Sequence, residues 1–159
     1  MTFTGDWLID GTGSTANLYR TDDNHLVLSN GIVARTFAVI PDGATVGLDL
    51  LTGNESFIRS VRPEAEIEID GMKFSIGGLV GQPIHNYLLP AWLEEMEADP
   101  AAFRLVGYSI SEIKERFPWK KRMEWMPKDM PWPLPGKELT FRYRLDDTAI
   151  ILMHEKLTS

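Results

Sequence analysis

Between Glu64 and Ile76 the chain reads EAEIEIDGMKFSI, and polar and apolar side chains change places at nearly every residue. A period of two belongs to extended backbone, whose successive side chains point to opposite faces. Ala65, Ile67 and Ile69 therefore share one face, and Glu64, Glu66, Glu68 and Asp70 share the other. Asp70-Gly71 reverses the chain, and Met72, Phe74 and Ile76 return. Asp-Gly between alternating runs is a strong hairpin signal, because both residues tolerate the positive φ of a tight primed turn. Five of these apolar residues, Ala65, Ile67, Ile69, Phe74 and Ile76, are expected to be buried together.

The same grammar covers much of the chain. Leu26–Leu28 is apolar and runs into Ser29-Asn30-Gly31, a second hairpin turn. Val33, Arg35, Phe37 and Val39 then alternate with Ala34, Thr36 and Ala38, and Pro41-Asp42-Gly43 turns the chain. Ala44, Val46, Leu48 and Leu50 alternate again up to Thr52-Gly53-Asn54. Further on, Leu139, Phe141, Tyr143 and Leu145 alternate with Thr140, Arg142 and Arg144. Asp146-Asp147 breaks that strand, and Ala149–Met153 is an unbroken apolar run of the kind expected to be buried on both faces. One helix is expected, with Pro90 in its first turn, Trp92, Leu93 and Met96 as its apolar stripe, and Asp99-Pro100 as its stop. The expected architecture is all-β: an antiparallel, super-sandwich-like β-sandwich with one short helix, spanning residues 1–159 as a single domain.

Composition narrows the function. A net charge of -7 argues against nucleic acid as a target, since phosphate binding needs a basic face, and the one dense basic cluster is Lys120, Lys121 and Arg122. The absence of cysteine excludes disulfides, a thiolate nucleophile and cysteine zinc sites. His25, His85 and His154 are scattered, without metal-ligand spacing, so neither a metal nor another cofactor is expected. No apolar stretch approaches the roughly 20 residues of a membrane helix. The opening MTFTGDWLIDGTG has no basic start and no apolar run, so no signal peptide is read there. The default compartment is the cytoplasm, with export only if a leader has been cut away.

Phe117–Pro135 breaks the pattern. It reads FPWKKRMEWMPKDMPWPLP, with five prolines, four lysines and arginines, and three of the five tryptophans. Proline fixes φ and removes backbone donors, so this is neither a regular helix nor a central strand. So aromatic an irregular segment is either pinned to the sandwich by its rings or offers them to a ligand, and flat rings suit sugar faces and partner surfaces alike. The candidate ligand-binding residues are Trp119, Trp125, Trp132, Arg122 and Asp129. Glu64, Glu66 and Glu68 are the only carboxylate series resembling glycosidase machinery, in which two carboxyls stand roughly 5–9 Å apart. Neighbours on an exposed strand face are ordinarily solvated, so no catalytic residue is assigned.

The runs LSNGIVARTF from Leu28, PDGAT from Pro41, Leu51-Thr52-Gly53 and RSVRPEA from Arg59 resemble the N-terminal β-sandwich of bacterial α-galactosidase-like (melibiase-type) glycoside hydrolases. Gly78–Pro83, the Leu88–Leu93 segment and Phe117–Pro135 fit the same likeness, which covers roughly Leu26 to Tyr143. In that family the sandwich precedes a (β/α)₈ barrel that holds the catalytic aspartates, and a barrel needs roughly 250 residues. None of those catalytic positions exists here to be matched. The family sandwich is also longer, and the likeness fades after about Leu145, so Ile150–Ser159 reads as a truncated or divergent end. The resemblance implies a non-catalytic accessory module that packs on a (β/α)₈ catalytic domain or binds carbohydrate. The alternatives are a stand-alone carbohydrate-active enzyme using sheet-face carboxylates, and a structural domain that forms homo-oligomers.

Overall fold

The computed structural model describes residues 14–22, 24–120, 122, 124–125, 131–146 and 149–158. Strands β1 (Asn17–Arg20), β2 (His25–Ser29), β3 (Val33–Ala38), β4 (Ala44–Leu50) and β5 (Glu55–Ser56) form one antiparallel sheet in chain order. A second antiparallel sheet holds β10 (Arg104–Glu112), β11 (Gly136–Leu145) and β12 (Ala149–Thr158). Between them in sequence come the hairpin β6 (Ala65–Ile69) and β7 (Met72–Ile76), then β8 (Leu79–Val80), helix α1 (Pro90–Leu93) and β9 (Glu97–Ala98), which pairs with β8. The molecule is an all-β, sandwich-like fold with one short helix among the described residues.

The two sheets meet through Phe37 of β3 and Phe141 of β11, whose rings cross edge to face 5.1 Å apart. Leu26, Leu28, Ile76, Phe103, Leu139 and Tyr143 complete this core, and each is almost fully buried. The β6–β7 hairpin closes one side by laying Ala65, Ile67 and Phe74 on it, with Phe74 edge-on to Phe103. A second cluster, Ala38, Ala44, Val61, Leu79 and Met96, lies on the other face of the five-stranded sheet. Both faces of that sheet are therefore covered in part. This is why Leu26, Val27 and Leu28 are apolar in succession and all buried.

Several expectations need correction. The Asp70-Gly71 turn is as read, with φ of 53° and 79°, but Ile69 and Met72 at its tip are exposed because the hairpin overhangs the core. At Asn30-Gly31 only Gly31 takes a positive φ; Asn30 instead accepts hydrogen bonds at Oδ1 from the N–H groups of Ile32 and Val33, 3.1 Å each. The alternation along β4 is interrupted by a bulge. Thr36 pairs with Gly47 and Phe37 with Thr45, so Val46 is the extra residue and joins the second cluster, while Leu48 lies opposite Arg35. The helix is one turn only: after Leu93 the chain brings Met96 into the second cluster and pairs as β9. Ala149–Met153 is not buried on both faces. Ile151 and Met153 pack inward, whereas no described residue covers the outer face here, so Ile150 and Leu152 are exposed.

Candidate functional site

The aromatic segment is the connection between β10 and β11, and its base is closed by polar contacts. Lys137 at the start of β11 pairs with Glu112 at the end of β10, and the Ile113 N–H bonds the Gly136 carbonyl. Gly136 is buried, and a Cβ there would stand 2.3 Å from the Leu157 carbonyl, so only glycine lets the chain re-enter the sheet at this point. Arg116 donates to Glu138 of β11 at 2.6 Å, and Glu115 accepts from the Trp119 backbone N–H at 3.0 Å.

From this base the structure brings Trp119 and Trp132 together. Their ring centroids are 4.3 Å apart at a 42° tilt, so the pair takes up ring surface that a sugar would otherwise meet. Trp119 is half-buried and Trp132 partly exposed, and neither belongs to the two core clusters. Trp125 stands apart: its N–H closes a turn on the Arg122 carbonyl at 3.1 Å, and the residue is 80% exposed. Phe117 is 65% exposed and Arg122 is also on the surface. Asp129 lies outside the described residues.

Glu138 was not singled out by the sequence, yet it anchors this connection. Its side chain is buried and is met by Arg116, by His154 Nδ1 at 2.9 Å and by Lys156 Nζ at 3.3 Å. Burial alone pushes the Glu138 carboxyl up, but the hydrogen bonds from Arg116, His154 and Lys156 outweigh it and hold the group below the ordinary glutamate range. The signal was present in the register, since extending a hairpin from Asp146 sets Lys156 opposite Glu138. A depressed folded-state pKa stabilises the protein in full above the ordinary glutamate value, and that stability is lost as pH falls from there through the lower folded-state value. Glu138→Gln is therefore expected to cost about 1–2 kcal/mol near neutral pH, and the deficit should shrink progressively as pH falls below about 4. Melting temperatures of parent and variant across that range check this; a deficit that does not change with pH would remove the ionic role.

The carboxylate series does not assemble into a catalytic pair. β6 begins at Ala65, so Glu64 lies outside the strand and its side chain turns inward rather than joining Glu66 and Glu68 on the outer face. Glu64 accepts from Arg35 Nη2 at 2.7 Å and from the Thr45 N–H, and Arg35 Nη1 reaches Glu155 at 2.7 Å. Glu66 and Glu68 are exposed opposite Ser75 and Lys73. Burial pushes the Glu155 carboxyl up, Arg35 pulls it back, and Glu64 pushes it up again.

A groove of about 380 Å³ opens on the outer face of the five-stranded sheet, beside α1. His25, Thr36, Asp49 and Ser56 give it a polar rim, and Leu88 and Leu93 an apolar side. His25 Nδ1 lies 2.9 Å from both carboxylate oxygens of Asp22, a pairing that could orient a catalytic imidazole. Ser56 is out of reach, however. Three strand spacings and four residues of rise separate the two positions, on the order of 19 Å. Among the described residues no group of three His, Asp and Glu could hold a metal ion.

No protein-family model, curated protein or solved structure matches the chain.

Proposed function

We propose that this chain is a non-catalytic accessory β-sandwich of an α-galactosidase-like glycoside hydrolase, and that the β10–β11 connection is the surface by which it packs on a (β/α)₈ catalytic domain. The observation that carries the reading is Trp125, a ring 80% exposed on a connection whose base is fixed by Arg116 and Glu138. Exposed tryptophan and phenylalanine beside arginine match residue types enriched at protein interfaces. Ring stacking on a glycan is less well served, because Trp119 and Trp132 lie against each other. The inward turn of Glu64 and the exposure of Glu66 and Glu68 weigh against a stand-alone carboxylate enzyme.

The test uses a (β/α)₈ α-galactosidase domain produced without its own sandwich. Calorimetry is expected to show binding of the parent and at least tenfold weaker binding of Trp125→Ala, with no turnover of aryl α-galactosides by this chain alone. Absence of binding defeats the interface, and turnover abolished by Glu66→Gln defeats the non-catalytic assignment. A saturable tryptophan fluorescence change with oligosaccharides, lost in Trp125→Ala, transfers the same surface to glycan binding.

A further inference from the structure

The three-stranded sheet ends on β12, and β12 is an unusual strand to leave at an edge. It runs for ten residues against β11 in an unbroken register, from Leu145↔Ala149 to Gly136↔Thr158. Its other edge receives no backbone pairing from the described residues. The devices that ordinarily blunt an edge are a proline, a bulge or a charge, and Ile150–Met153 contains none of them. The opposite edge of the same sheet is different: β10 carries a bulge between Leu105 and Gly107, and Ser109, Ser111 and Glu112 along its length. On β12, Ile150 is 65% exposed and Leu152 56% exposed, on the face away from the core. Two large aliphatic side chains on a bare edge make a site for strand addition.

We infer that β12 pairs antiparallel with β12 of a second copy of this chain, about a two-fold axis near Ile151, joining two three-stranded sheets into one of six. The choice of occupant follows from the strand's own order. An antiparallel pair centred on Ile151 sets Ile150 against Leu152 of the second copy, twice, on the outer face, and Ile151 against its own copy on the inner face. Every one of those pairs is apolar, and cross-strand aliphatic pairs on one face attract. Centring the pair at Leu152 would set Ile150 against His154, and at Met153 would set Ile150 against Lys156 and Ile151 against Glu155, so only the Ile151 centring gives Ile150, Ile151 and Leu152 apolar partners throughout. The polar half of the strand is already engaged within the chain: Glu155 holds Arg35, and His154 and Lys156 hold Glu138. Arg142 and Arg144 of β11, opposite Leu152 and Ile150, would flank the new contact. The two β11 strands would stand about 14 Å apart across it, beyond the roughly 8–10 Å over which charges interact in ordinary salt. Their repulsion therefore does not oppose the pairing.

Sedimentation equilibrium of the parent is expected to show a concentration-dependent dimer. Leu152→Lys should leave a monomer throughout the same range, melting within a few degrees of the parent diluted to its own monomeric range, because the side chain it replaces already faces solvent. The chain has no cysteine, so position can be read directly. Opposed residues of an antiparallel pair have Cα atoms about 4.5–5.5 Å apart, within disulfide range. Under mild oxidation an equal mixture of Ile150→Cys and Leu152→Cys should give mainly the mixed dimer, and much less of either homodimer. A parent that stays monomeric overturns the inference. So does a dimer that survives Leu152→Lys, and survival combined with loss in Trp125→Ala would assign self-association to the β10–β11 connection instead.

Discussion

Gly77→Ala is expected to destabilise the protein by about 3–5 kcal/mol, among the largest losses a single methyl can cause. Gly77 has φ of +57°, which alone costs an L-residue about 1–2 kcal/mol. The steric term is larger. A Cβ at Gly77 would lie 2.2 Å from the Gly43 carbonyl oxygen and 2.8 Å from Cε1 of Tyr143. Neither can retreat: the Gly43 carbonyl accepts from the Gly78 N–H at 2.8 Å, and Tyr143 is fully buried with Phe141 beside it. Burial also pushes the Tyr143 hydroxyl far above the usual phenol range, so the neutral ring stays packed at any pH of interest. Gly31→Ala is the control. Gly31 has φ of +87° but no atom within 4 Å of its would-be Cβ, so only the backbone penalty of about 1–2 kcal/mol applies. Urea denaturation of both variants separates the terms, and equal losses would show that the contact with Tyr143 and Gly43 is not what requires glycine.

Arg35→Met should cost about 3–5 kcal/mol near neutral pH, because it removes the cation that two enclosed carboxylates share. Arg35 projects from β3 over the Phe37 ring, 4.8 Å from its centroid, and donates to Glu64, Glu155 and Thr45 Oγ1. Glu64 is nearly fully buried and Glu155 about three-quarters so; residual exposure of Glu155 favours the lower end of the range. Burial already raises the Glu155 carboxyl, and without Arg35 nothing pulls it back, so its folded-state pKa moves further above the unfolded value. A carboxylate with a raised folded pKa destabilises once ionised, so the deficit should be full at about pH 7 and shrink toward about pH 5. Stability measured at both pH values decides this. Adding Glu155→Gln to the variant should recover part of the loss, by removing one of the two stranded charges. A deficit indifferent to pH would reduce Arg35 to an aliphatic stem packed on Phe37.

Much of the strand order was legible because its signals are local. Asp70-Gly71 forms its turn whatever the rest of the chain does, since the constraint is the φ of two residues. The period of two along Ala65–Ile69 and Leu139–Leu145 follows from the pleat and needs no partner to be read. The aromatic connection could be located from its prolines, although the contact between Trp119 and Trp132, thirteen positions apart, could not. Helix length was misread for a related reason. Local preference favoured continuing past Leu93, but pairing of Ala98 with Leu79 took the chain away.

The sequence by itself determined an all-β chain, the places where it turns, and the one stretch that cannot be a regular element. Which faces are covered was decided only by tertiary structure. Alternation says that two faces differ, but not what another part of the chain will lay on each. The segment carrying Val61, Leu79 and Met96 covers part of the outer face of the first sheet. No equivalent segment among the described residues covers Ile150 and Leu152, so an apolar run that reads as interior ends at an open edge. Glu64 shows the same limit for polar groups. Its neighbours in sequence place it with Glu66 and Glu68, whereas Arg35, 29 positions away, draws it inside, because a partly buried guanidinium needs carboxylates more than a solvated strand face does.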